Sequence, residues 1–394
     1  MSTPTSQFPC FSDGDVQIDS PAGTMTWVLH STVLRTSSNE FRRLLKETVP
    51  RNLSKKRREK GQTIAWKFRM AATSNNRFVT FIPMDLNKRQ AVILPAIGQE
   101  EPPFHRTHDM FFKTIYNLDP QVTRSQDGST DIYDCLTILT CGHKLGATAS
   151  VRARVEAEFL RLDAILWNEV RERPDAWAEI GIRLRSPIIV REAMVHLAGN
   201  WFLPGGMGSK DMSDVTYGTV IKELARKKAQ AIEAKKLEVE NALLDFVPPS
   251  MLYAGESTNR HVYAGDIYKW QSLTIIRQFI AAQLRTGHGH DASDGGVAFY
   301  RAIGAAGNAY LNSHNLHHFY AHFPMSAKGK RKLVMVLNDI KKEYMTVVLP
   351  LIKNNSHCSN TIQPPISYLT CADFHDNEMP WIANPEAFAE DEMN

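Results

Sequence analysis

Apolar positions along this chain first alternate and later recur at helical spacing. Asp15-Val16-Gln17-Ile18 and Met25-Thr26-Trp27-Val28-Leu29 alternate, with Trp27 and Leu29 on one face. Such a period predicts two short strands. Ser20-Pro21-Ala22-Gly23 between them supplies turn chemistry, so a hairpin is expected. His30–Leu34 reads as a short helix. Ser37-Ser38-Asn39 offers a cap for a longer one, in which Phe41, Leu44 and Leu45 recur at 3/4 spacing and Arg42, Arg43 and Lys46 take the wet face. Pro50 ends it. Arg77-Phe78-Val79-Thr80-Phe81-Ile82 is rich in β-branched and aromatic residues and predicts a further strand; Pro95 to Pro103 reads as a loop.

From Thr107 the period turns helical. Met110, Phe111, Ile115 and Leu118 form one short apolar face, and Ile132, Cys135, Leu136 and Leu139 another that stops at Gly146. Val151, Val155, Phe159, Leu162 and Leu166 continue the pattern, which runs on through Trp177, Leu184, Ile189, Ala193, Leu197 and Trp201. Leu203-Pro204-Gly205-Gly206 breaks it. Beyond lies a long, heavily charged helix with a narrow apolar stripe at Ile221, Ala225, Ile232, Val239 and Leu243, stopped by Pro248-Pro249. It reads either as an exposed helix laid on a core or as a self-associating one. Residues 260–350 are mixed and helical, with a Gly-rich middle at Gly287, Gly289, Gly295 and Gly296.

Composition narrows the picture. The 394 residues are 43% hydrophobic and 22% charged, ordinary for a globular protein with room for two or three domains. A net charge of +4 is too small to name nucleic acid as a partner. Five scattered cysteines form neither a disulfide framework nor a CxxC pair. No secretory leader or membrane-spanning run is visible, so the expected compartment is the cytoplasm or the nucleus. Charge is concentrated at residues 51–60, where six of ten side chains are basic. Lys55-Lys56-Arg57-Arg58 is a candidate nuclear-localisation signal, read against a plain solvated loop. Direct DNA binding is not expected, since no zinc finger, homeodomain or basic zipper pattern accompanies it.

The order strand–strand–helix–helix–strand–helices, together with particular residues, resembles a BTB/POZ domain of the fungal type. Asp15-Val16 is similar to that family's opening strand. Trp27, His30, Val33, Leu34 and Phe41 are similar to its aromatic-led strand, His, Val-Leu and Phe signature. Phe111-Phe112-Lys113-Thr114-Ile115-Tyr116 looks like its third helix, and Arg173 to Leu197 like a helical stretch that often follows. The resemblance covers residues 11–201. It implies an α+β fold: a BTB/POZ-like head, with a short mixed sheet and a helical cluster, followed by a mainly α-helical C-terminal region. The expected divisions are a disordered 1–10, a head at 11–166 with a basic insertion at 50–76, a helical region at 167–350 and a loosely ordered acidic tail at 351–394. It also implies protein partners, either a second copy (a homodimer) or a cullin of a ubiquitin ligase, with Phe111, Phe112, Ile115 and Tyr116 as partner-binding residues. Asp15, Val16, Trp27, His30, Val33, Leu34 and Phe41 would form the core of the signature.

No catalytic constellation survives a search of the residues. Gly-x-Ser-x-Gly and GxxxxGK[ST] are absent, and the glycine pairs near 295–307 lack a preceding strand and an acidic partner at nucleotide-binding spacing. Asp131, Asp134, Glu156 and Glu158 read as helix-surface charges. His314, His318 and His322 lie at i, i+4, i+8 with His317 beside them, a real ligand spacing if all are helical; packing of aromatic and imidazole rings explains the stretch equally well. The reading is therefore a non-enzymatic interaction or scaffolding protein without a cofactor. The alternative is a nuclear regulatory or metal-binding protein using the His-rich C-terminal region.

Overall fold

The alternation near the N-terminus becomes a sheet. The structure is a computed structural model and describes residues 8–21, 23–53, 61–72, 79–84, 104–251, 267–358 and 365–388. The strands are β1 (Val16–Asp19), β2 (Thr26–Leu29), β3 (Trp66–Ala72) and β4 (Val79–Pro83), in the order β2-β1-β3-β4. β1 pairs antiparallel with β2 (Val16 opposite Leu29) and parallel with β3 (Val16 opposite Trp66), while β3 and β4 are antiparallel. The chain is thus α+β, with a small mixed sheet near its N-terminus and a mostly helical remainder. β3 falls inside what was expected to be an insertion. Its own alternation, buried Phe68 and Met70 between Lys67 and Arg69, carries the strand period beside a basic run that masks it.

Two compact units account for the chain. One is drawn from Met1–Leu166, Ile182–Ser186 and Pro380–Asn394, the other from Trp167–Gly181 and Pro187–Met379. In the first, the sheet carries α1 (Ser31–Ser37), α2 (Asn39–Glu47), α3 (Phe104–Ile115), α4 (Ser129–Lys144) and α5 (Thr148–Leu160). Val16, Ile18, Trp27, Leu29 and Phe68 lie on its covered face at 0% exposure. Aromatic rings fill the space behind them: Phe41 meets Phe81 at 4.8 Å and Trp27 meets Phe112 at 5.5 Å. Ser38, extended at φ −142°, separates α1 from α2; its hydroxyl accepts from Phe41 N at 3.2 Å and donates to Leu145 O at 2.5 Å.

Asp131, Asp134 and Glu158, expected on helix surfaces, are 3%, 2% and 6% exposed. Arginines reach in from solvent to satisfy them. Arg106 forks onto Asp134 at 2.9 and 2.5 Å, and Arg124 bridges Asp131 (3.2 Å) and Glu158 (2.9 Å).

The chain passes through α6 (Ala164–Glu172) and α7 (Pro174–Leu184). The second unit is built from α8 (Pro187–Gly199), α9 (Gly218–Asp245), α10 (Ile267–Arg285), α11 (Val297–Ala305), α12 (His317–His322) and α13 (Ala327–Ile352). α8 is buried on nearly every side, from Ile189 to Ala198, as the central helix of a unit must be. α9 lays the stripe Ile221, Ala225, Ile232, Val239 and Leu243 against α8, α10 and α13. That stripe is packed within the unit, as expected of an exposed helix laid on a core.

Residues 365–379 were expected to belong to a loose tail, yet Tyr368, Leu369, Cys371 and Met379 are buried. Their polar neighbours had hidden a segment that is pinned by specific hydrogen bonds, such as Arg301 Nη1 to Ile366 O at 2.8 Å. A short helix, α14 (Pro380–Ala383), follows. Residues 1–7, Lys55–Arg58, Arg77, Phe78, the loop at 95–103 and the acidic Glu390–Glu392 lie outside the described residues.

Candidate functional site

The residues expected to meet a partner are placed inward. Phe111 and Phe112 are 0% exposed; Phe112 lies 5.5 Å from Trp27 of β2, 6.1 Å from Phe41 of α2 and 6.3 Å from His108. Ile115 is half-buried. Tyr116 is half-buried too: its hydroxyl accepts from His30 N at 2.7 Å and its ring stacks on Phe11 at 4.9 Å. Burial pushes the Tyr116 phenol up to about 12. Phe111 and Phe112 therefore offer no surface to a partner, while Ile115 and Tyr116 stay partly exposed. In the signature set, Val16, Trp27, Leu34 and Phe41 are fully buried, whereas Val33, His30 and Asp15 are half-buried. Asp15 accepts from Ser31 N and Oγ, both at 2.6 Å, and so fixes the start of α1.

The histidine-rich stretch does not form the expected ladder. α12 begins only at His317, which leaves His314 in the preceding turn, and His314, His317, His318 and His322 all face solvent. Among the described residues, the group with metal-ligand geometry is a different one: Glu192, His196 and Cys358, all buried, with their donor atoms within 4.8 Å of one another.

That cluster is built from α8 and a loop about 160 residues later in sequence. Glu192 and His196 are one helical turn apart on α8 and share a face; Glu192 Oε1 lies 2.9 Å from His196 Nε2, and both side chains are 0% exposed. The loop supplies Ser356, His357 and Cys358. Ser356 Oγ donates to Glu192 Oε1 at 2.6 Å, and His357 N donates to Oε2 at 2.8 Å. His357 Nδ1 is 3.0 Å from Glu192 Oε2, and its half-exposed ring stacks on Trp167 at 4.6 Å. Cys358 Sγ sits 3.8 Å from His196 Nε2 and donates to Trp167 O at 3.2 Å. On the far side of the imidazole, Nδ1 meets Tyr368 Oη at 2.8 Å. Burial works to raise the Glu192 carboxyl, but its hydrogen bonds from His196, Ser356 and His357 outweigh it and hold the group down at about 2. Burial pushes the Cys358 thiol up to about 11, so without a bound cation it is a protonated thiol and a poor nucleophile. Sequence spacing pointed elsewhere. The available signal was the Glu-x-x-x-His turn of α8, whose third partner no local pattern could supply.

The other chemistry-bearing segment runs from α10 to α13. Leu273, Ile276, Ile280, Leu333, Leu337, Ile340 and Tyr344 form its core. Two buried ionic side chains pin its loops. Glu240 of α9 accepts from His290 N at 2.7 Å and from Tyr300 Oη at 2.6 Å. Gly289 permits that approach, since a Cβ there would lie 2.5 Å from Glu240 Oε1. Lys341 donates to the carbonyls of Gly307 and Tyr310, each at 2.7 Å, and of Leu311 at 3.2 Å. A cleft of about 310 Å³ opens between Phe279, Gln283, His288, Phe299, Tyr310 and Asn315. On the outside, Lys328, Lys330, Arg331 and Lys332 are exposed at the start of α13. Phe323 at 55% and Met335 at 51% exposure stand nearby in sequence.

No helix among the described residues is long and apolar enough to cross a membrane. No curated protein and no solved structure matches the chain. No BTB/POZ family model matches either, so the BTB/POZ resemblance is corrected, and with it the cullin and ubiquitin-ligase expectation it carried. The sheet order and the residues that suggested it, Asp15, Trp27, His30 and Phe41, are accounted for by hairpin pairing, a helix start and core packing that any small α+β unit can use. What does match is a family model of the fungal type described as FF domain, and it does so over residues 248–350, the segment from α10 through most of α13.

Proposed function

We propose that this protein is a non-enzymatic interaction protein whose docking element is the segment at residues 248–350. The match of that segment to the FF domain is the observation that carries the reading, because FF domains are protein-interaction domains. Its exposed chemistry supports the same view. Lys328, Lys330, Arg331 and Lys332 crowd four positive charges into five positions, with exposed Phe323 and Met335 close to them in sequence. A run of exposed cations flanked in sequence by exposed apolar side chains suits an acidic protein segment carrying a few apolar residues. A cytoplasmic or nuclear location goes with this proposal.

Cross-linking of the full chain to co-purifying proteins tests it, alongside a variant with Lys328, Lys330, Arg331 and Lys332 changed to Glu. Partner cross-links should map to 317–335 and disappear in the charge-reversed variant at unchanged helical content. Partners that cross-link to other segments and are retained by the variant would overturn the assignment.

A further inference from the structure

The cluster on α8 has the composition of a metal centre, and the docking role proposed above makes no use of it. We propose that Glu192, His196 and Cys358 bind a divalent transition-metal ion of the zinc class and clamp the loop at 355–358 onto α8. A carboxylate, an imidazole and a thiol converge here with Glu192 and His196 at 0% and Cys358 at 2% exposure. Zinc accepts all three donor types, at about 2.0–2.3 Å, which places tetrahedral ligand atoms roughly 3.3–3.8 Å from one another. Cys358 Sγ and His196 Nε2, 3.8 Å apart, already have that separation. Glu192 Oε1 is closer to Nε2, at 2.9 Å, because a proton now lies between them; an ion that takes its place draws the two as common ligands.

Two features distinguish this arrangement from a plain buried hydrogen-bond network. The loop is already held by Ser356 Oγ, His357 N and His357 Nδ1 on the two Glu192 oxygens. A thiol facing an imidazole adds little to that hold, and a small apolar side chain would fill the space as well. The second feature lies behind the ring. With Nε2 given to a metal, the imidazole carries its proton on Nδ1, where Tyr368 Oη at 2.8 Å is in place to accept it. Ligating histidines are oriented in this way by a partner on the other nitrogen. Ion binding sends the Cys358 thiol proton to solvent and leaves a thiolate neutralised by the metal. His357, half-exposed and hydrogen-bonded to Glu192, places the cluster one side chain from solvent, and a water completes the fourth position on the ion.

The test uses the purified full chain. Elemental analysis should find one zinc per chain. After chelation, cobalt(II) titration should saturate at one ion per chain, with a thiolate-to-cobalt charge-transfer band and the strong visible absorption of a tetrahedral site. Cys358→Ser should abolish the charge-transfer band. Tyr368→Phe should retain the band and weaken zinc binding by roughly 10- to 100-fold, the effect of losing a partner behind a ligating imidazole. If Cys358→Ser does not fold, the wild-type cobalt spectrum still decides. The proposal is overturned by a metal-free native chain whose cobalt spectrum lacks a thiolate band, or by a band that survives in folded Cys358→Ser.

Discussion

The two units differ in how they satisfy most of their buried charge. In the sheet-containing unit the carboxylates Asp131, Asp134 and Glu158 are buried, but the arginines that satisfy them remain in water: Arg106, Arg124 and Arg161 have side chains 44%, 42% and 49% exposed. The interior behind them is aromatic and aliphatic. In the helical unit Asp175 is likewise met by the half-exposed Lys210, but three other buried ionic side chains are satisfied from inside. Glu192 is held by His196 and a loop backbone, Glu240 by Tyr300 and His290, and Lys341 by three carbonyls. Solvated arginines move with little penalty, so the first unit depends on apolar packing. In the second, single ionic side chains fix the irregular segments at 289–296, 307–311 and 355–358.

If that contrast is right, the largest effect of any single truncation belongs to the aromatic core. Phe112→Ala should destabilise the sheet-containing unit by about 3–5 kcal/mol through lost burial and the cavity left among Trp27, Phe41 and Phe111. Hydrogen exchange should rise in peptides from β1, β2 and α2 at lower denaturant than in the wild type. A loss below ~1 kcal/mol would mean that the arginine-bridged rim, and not the rings, holds this unit together.

The second effect sharpens the other side. Tyr300→Phe removes only the hydroxyl that donates to Glu240 at 2.6 Å, leaving the ring in place. Hydrogen bonds to charged groups contribute about 1.5–3 kcal/mol. The exchange protection of residues 289–300 should fall by a corresponding factor while peptides of α8 stay protected. Uniform loss across the unit would show that Glu240 holds its whole core and not one loop.

This division also explains what was legible in the sequence. Elements whose partners are close in the chain were readable: the β1–β2 hairpin from its alternation, α2 from Ser38 and the Phe41, Leu44, Leu45 face, and the length of α9 from its stripe. β3 was not, because its pairing with β1 spans about 50 residues and the basic run beside it dominates the local composition. The candidate metal centre was illegible for the same reason on a larger scale. Glu192 and His196 lie one turn apart on α8, a spacing too common to stand out, and Cys358 reaches them only through tertiary folding. Conversely, His314, His318 and His322 had ligand spacing without the continuous helix that spacing assumes. Family resemblance misled where it rested on residues with ordinary structural work, such as Asp15 starting α1 and His30 meeting Tyr116.

A smaller effect belongs to the cap between α1 and α2. Ser38→Ala loses the acceptor for Phe41 N and the donor to Leu145 O, and should cost about 1–2 kcal/mol in the sheet-containing unit. Equilibrium denaturation monitored by the same exchange peptides gives the value. Threonine at this position should recover most of it, since its hydroxyl can make both bonds; failure of threonine to do so would assign the loss to packing at a buried site.

The smallest effect at neutral pH is the most diagnostic, because its sign depends on burial of a charge. Burial pulls the Lys341 ammonium down from 10.5 to about 8, even with three carbonyls accepting from it. The unfolded chain therefore holds this proton more tightly than the folded one between those two values. Stability rises with pH wherever the unfolded state binds more protons, so the helical unit should gain stability from pH about 8 to about 10.5 and show no slope from this group below that window. Lys341→Met removes the desolvation cost and the three hydrogen bonds together. At pH about 7 these oppose one another and the net change should stay within about 1 kcal/mol. Denaturation midpoints of wild type and Lys341→Met at pH about 7 and about 10 separate the cases: the wild type should gain on the variant as pH rises. A constant difference between the two would mean that the ammonium is as well solvated by its carbonyls as by water, and that the helical unit buries its charges at no net cost.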